Sequence, residues 1–186
     1  MIRRLLALAA ISLVVASACD SSGAAAIPSG AAAIPTLAAT PSPASEGTQE
    51  PLLPATHIAP PARGTYNTDP PTSGAHYSVP GYAPTKWGFY DQLQPPEVWI
   101  HNAEHGGVIV LYRSSTDADT VRNFIAGAPL DPDFGEVKMV GTQYPIPGHR
   151  FALVAWGWLE LMDTWDAGAA QRFYLAHVDR GPELIP

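Results

Sequence analysis

The placement of proline constrains this chain more than any other feature. Fourteen of its 20 prolines precede Glu97 and six follow it. Proline fixes φ and removes an amide donor, so a segment dense in it joins neither helix interiors nor central strands. The front half is therefore expected to be address, spacer and loop, and the regular elements to fall in the back half. An apolar content of 46% overstates the core, because much of it is alanine among the early prolines.

The first residues carry an address. Met1 to Arg4 are positive, Leu5 to Val15 are apolar and uncharged, and Ala16-Ser17-Ala18 lead to Cys19, the only cysteine. This is the layout of a secretory signal, and its apolar run is shorter than the roughly 20 residues a spanning helix needs. Small residues before a cysteine resemble the bacterial lipobox. That resemblance implies cleavage before Cys19 and a lipid on its sulfur, hence an extracytoplasmic protein with the membrane as its partner. Plain secretion is the alternative.

Residues 19–63 are dominated by Ala, Pro, Ser, Thr and Gly, with Gly23 to Pro28 repeated as Gly30 to Pro35. Such a composition buries too little apolar surface to offset the entropy of ordering. It predicts a disordered tether spanning roughly 35–40 Å as a coil. His57, inside it, is expected to be solvated and uninformative. The chain thus divides into a signal over 1–18, a tether over 19–63 and one globular domain over 64–186.

Within that domain, Pro70-Pro71-Thr72-Ser73-Gly74 predicts an ordered, proline-rich loop. Strands are expected at Val98 to Ile100, Val108 to Tyr112, Val137 to Met139 and Phe151 to Trp156. Helices are expected over Ser115 to Ala126 and from near Asp166 to Asp179, the latter stopped by Gly181-Pro182. The order β-β-α-β-β-α predicts an α+β fold. Its mainly antiparallel sheet of about four strands would carry two helices on one face.

One cysteine excludes a disulfide framework and multi-cysteine metal sites. A net charge of −7 argues against nucleic acid as a partner. Neither a phosphate loop nor a dinucleotide fingerprint is present. What remains is His101-Asn102-Ala103-Glu104-His105-Gly106-Gly107. His-x-x-Glu-His matches the inverted zincin signature, but the glycine pair and the β-branched run after it do not extend a helix. A tight turn between strands would set His101 opposite His105, and a helical turn would bring them together as well. Either way two imidazoles can share a metal.

His76 and His177 are the other candidate ligands. His177 lies on an apolar helix face, where an unpartnered ring is costly. Glu104 and Asn102 are candidates for orienting the imidazoles from behind, and Glu104 is also a candidate ligand or catalytic base. Imidazoles without thiolates suit zinc or copper. Three functions stay open: a His-based metal-binding domain; a ligand-binding module lined by Trp87, Trp99, Trp156, Trp158 and Trp165; and a small hydrolase using Glu104 and His105. Histidines that merely pair within the fold are the competing structural explanation.

Pro70 to Tyr77, Trp87-Gly88-Phe89-Tyr90-Asp91 and His101 to Gly107 together resemble the bacterial family called domain of unknown function 3105. Ala155-Trp156-Gly157 and His177 with Arg180-Gly181-Pro182-Glu183 are similar to its later landmarks. The resemblance covers Gly64 to Glu183, with Ala75 standing where a proline is common. It implies a secreted or membrane-attached bacterial protein without an assigned reaction. It singles out His76, His101, Glu104, His105 and His177 as shared polar landmarks.

Overall fold

The computed structural model describes residues 46–185. The signal, Cys19 and the tether up to residue 45 lie outside the described residues. Among residues 46–185, no helix is long and apolar enough to cross a membrane.

The elements in chain order are β1 (Thr48–Gln49), β2 (His57–Ile58), β3 (His76–Tyr77), β4 (Gly88–Phe89), α1 (Pro96–Glu104), β5 (Val108–Tyr112), α2 (Ala118–Ala126), β6 (Met139–Gln143), β7 (Phe151–Ala155), β8 (Trp158–Met162) and α3 (Ala167–His177). A 3-10 turn over Ser115–Asp117, capped by the Ser114 hydroxyl, leads into α2. The main sheet has six strands in the order β1-β8-β7-β5-β6-β4, and β2 and β3 form a separate pair.

This corrects the expected architecture. The main sheet has six strands rather than about four, and it is mixed. β5 pairs parallel with β6 across the α2 crossover, and β4 is also parallel to β6, while β7, β8 and β1 continue antiparallel. A strand–helix–strand connection of this length returns the chain in the same direction, so parallel pairing follows from the helix between them. The edge strands β1 and β4 have two residues each, too few to produce a period in the sequence. β8 follows β7 through a hairpin closed by Trp156 and Gly157, the latter at φ +75°.

Among the described residues there are three α-helices rather than two, and they cover both faces. β5 is buried throughout, and its alternate side chains serve different cores. Val108, Val110 and Tyr112 meet Val121 and Ile125 of α2 and Phe173 and Tyr174 of α3. Ile109 and Leu111 face Trp99, Ile100 and Ala103 of α1. Two-sided burial is what the uninterrupted apolar run of β5 demands.

Val98 to Ile100, expected as a strand, lies inside α1. Pro96 occupies the first turn, where its missing amide costs nothing. The helix ends in a Schellman motif: Gly106 N–H donates to Ala103 O at 3.0 Å and Gly107 N–H to Asn102 O at 2.9 Å. Gly106 stands at φ +79°, the left-handed conformation this ending requires. The glycine pair that argued against a helix is the device that terminates one.

Candidate metal centre

Four elements converge at one corner. α1 carries His101 and Glu104 three residues apart, hence on one face. β3 carries His76. β2 lies parallel to it with His57 directly opposite His76, and His76 N–H donates to Thr56 O at 2.9 Å. The loop before α1 is fastened by Asn102, whose amide accepts from Thr85 N–H at 3.0 Å and donates to Thr85 O at 2.8 Å.

Glu104 Oε2 lies 2.9 Å from His76 Nε2, 3.6 Å from His57 Nε2 and 3.9 Å from His101 Nε2. The three ring centroids are 4.9, 4.9 and 5.3 Å apart. One donor atom from each of these four residues falls within 4.8 Å of the others. Ligand atoms of a tetrahedral ion with about 2.1 Å bonds are about 3.4 Å apart, and the three carboxylate distances bracket that value.

The hydrogen bonds behind the rings assign their tautomers. His76 Nδ1–H donates to Gly74 O at 2.8 Å, and His101 Nδ1–H donates to Tyr77 O at 2.6 Å. A carbonyl only accepts, so Nδ1 carries a proton, and Nε2 of either ring in its neutral form is a lone pair. Both lone pairs face the Glu104 carboxylate. His76 Nε2 and Glu104 Oε2 are buried, and neither has a hydrogen-bond partner. Acceptors gathered this closely repel unless a cation sits among them. A proton is disfavoured at His101: burial, above all, pushes its pKa below the ordinary value, and His76 and His57 nearby add to that. A backbone acceptor on Nδ1 with Nε2 free is the usual posture of a metal-ligating histidine.

The corner is open on one side. His76 and Glu104 are buried, whereas the His57 side chain is 51% exposed. The four donors can complete a tetrahedron. Without His57, the remaining pair of histidines and one glutamate would leave a position for water, the donor pattern of catalytic zinc.

The other expected ligands, His105 and His177, are not among these four. His105 caps α1 with its ring 4.6 Å from that of His101. Its Nε2 faces Glu183 Oε2 at 3.4 Å rather than the group around His76. Burial, reinforced by His101 and Lys138, lowers its pKa to about 4. His177 is not part of this corner. Its Nε2–H donates to Glu46 O at 2.7 Å, and its ring packs 4.6 Å from Trp158 and 4.5 Å from Phe173. That carbonyl supplies the partner its apolar surroundings require. Asn102 holds Thr85 and makes no bond to an imidazole. The tryptophans are divided between the two cores; Trp156 lies edge-on to His76 at 6.2 Å.

His57 is the ligand candidate that sequence reasoning missed. It sits in a stretch whose composition predicts a spacer, yet residues 48–49 and 57–58 of that stretch form strands. The short run Thr56-His57-Ile58, β-branched on both sides of the ring, was the available signal.

A family model matches residues 57–185, a stretch that begins at His57 and contains all four converging residues. The chain belongs to the family described as Protein of unknown function (DUF3105). No curated protein and no solved structure matches it. In this DUF3105 domain the polar corner, not a known relative, has to carry the functional reading. The arrangement also separates it from the inverted zincin pattern. There both histidines of His-x-x-Glu-His hold one ion, whereas here His101 and His105 face different carboxylates.

Proposed function

We propose that this domain is a metal-binding module outside the cytoplasm. It holds one divalent first-row transition ion on Nε2 of His57, His76 and His101 and Oε2 of Glu104. The observation that carries the reading is the pair of buried, unpartnered atoms, His76 Nε2 and Glu104 Oε2, facing each other at 2.9 Å. Three neutral imidazoles and one carboxylate, with no thiolate, suit zinc, with copper(II) as the competitor. The site of action follows from the leader: the positive start, the apolar run and the small residues before Cys19 support a lipid anchor on its sulfur.

Elemental analysis of tag-free full-length protein tests the metal. About one tightly held equivalent of zinc or copper is expected, with a melting temperature that falls on chelation and recovers on adding the ion. A metal-free protein whose melting ignores both ions overturns the reading. The anchor is tested separately, by whether Cys19→Ala moves the protein from the detergent phase to the aqueous phase.

A further inference from the structure

Beside the first group lies a second, made of Glu104, His105 and Glu183, whose donor atoms are also within 4.8 Å of one another. Glu104 belongs to both groups. We infer that the corner is dinuclear, with Glu104 as a carboxylate bridge and His105 and Glu183 holding a second divalent cation. This rests on the metal-binding reading of the first group.

The second group is built into the fold. His105 is 7% exposed, and its Nε2 is directed at Glu183 Oε2 at 3.4 Å. Glu183 is placed by the backbone: its N–H donates to Glu104 O at 3.0 Å. That approach requires Gly181, because a Cβ there would stand 2.1 Å from Glu104 O. Just upstream, Asp179 N–H donates to Gly106 O at 2.9 Å, so the tail after α3 is stitched onto the end of α1.

An acidic cluster alone would not define a site. Here the shared carboxylate is 3% exposed with Oε2 unpartnered, and a nearly buried imidazole completes the set. The 4.6 Å between the His101 and His105 rings suits two ions about 3.5–4 Å apart, the usual spacing of two-metal sites. The positions differ in chemistry. The first has three imidazoles and one carboxylate; the second has one imidazole, one buried carboxylate and one carboxylate 48% exposed. Fewer nitrogens and an exposed arm make the second position the weaker and the more open.

Zinc titration of tag-free full-length protein, against a chromophoric chelator, tests this directly. Two classes of binding are expected. Glu183→Gln should keep the first equivalent and weaken the second by about 10-fold or more. The exposure of Glu183 makes that variant safe for folding, and His105→Ala serves as the second variant. Cobalt(II) supplies an independent readout: spin coupling on adding the second equivalent to the native protein, and none in Glu183→Gln. A single equivalent in the native protein, or a second equivalent that Glu183→Gln binds equally well, overturns the dinuclear centre and leaves the first site standing. No binding at all removes both.

Discussion

The corner between β3 and α1 and the far end of α3 both bury histidine, and they do so in opposite ways. At the end of α3, His177 donates through Nε2 to a backbone carbonyl and packs against Trp158 and Phe173. At the corner, His76 and His101 donate through Nδ1 to carbonyls and present bare Nε2 atoms to a carboxylate. Burial lowers the pKa of His101 and of His177 alike, so burial does not separate them. The difference is which nitrogen is engaged. Engaging the outer nitrogen completes a core, whereas engaging the inner one leaves an acceptor that needs a cation.

The contrast is broken or kept most directly by truncation. His76→Ala is expected to lower zinc affinity by more than about 100-fold, exceeding the roughly 10–100-fold typical of groups that only orient ligands. His177→Ala should leave affinity unchanged and cost about 1–3 kcal/mol of stability. Competition with a zinc indicator and urea unfolding report the two quantities. Equal affinities in the two variants would erase the distinction.

A smaller effect appears in pH dependence. His101 and His177 have folded pKa values below the ordinary 6.5, and His105 lies near 4. Between about pH 6.5 and 4 the unfolded chain therefore binds more protons than the metal-free fold. Stability is complete above that window and is lost as pH falls through it. Bound zinc excludes protons from its ligands, so zinc should steepen the loss. It should do so in His177→Ala but not in His76→Ala. Urea midpoints at pH 7 and pH 5, with and without zinc, check this.

Elements with a long local signal were legible in the sequence. The apolar run of β5, the run of β7 and the α3 pattern ending at Gly181-Pro182 fall where expected. α1 was not, because Val98-Trp99-Ile100 is too short to show a period and its glycine stop resembles a hairpin turn. The mixed pairing was hidden for a different reason. Register between β5 and β6 is settled by the α2 crossover and by both faces being covered, which no single segment records. At the corner, the spacing linked His101 to His105, whose rings do lie 4.6 Å apart, but their nearest carboxylates, Glu104 and Glu183, differ. His57 depends on pairing between β2 and β3, nineteen residues apart; its β-branched neighbours hint at a strand but do not name the partner. For His177, the need for a partner was readable, but the partner is the Glu46 carbonyl, 131 residues earlier.

Asn102 gives the finest test, since sequence reasoning places it behind the imidazoles and the structure places it on a loop. Its amide spans Thr85, accepting from N–H and donating to O, with no exposure to solvent. Asn102→Asp keeps the acceptor, removes the donor and sets a carboxylate against the Thr85 carbonyl. Leaving that buried polar pair unsatisfied should cost about 1–3 kcal/mol. Zinc affinity should stay close to native, because His101 is oriented by Tyr77 O and Glu104 by the helix that carries both. A loss of about 10-fold or more, the scale of a true orienting partner, would mean that the loop held by Asn102 sets the ligand geometry. In that case the corner is built from the loop inward rather than from α1 outward.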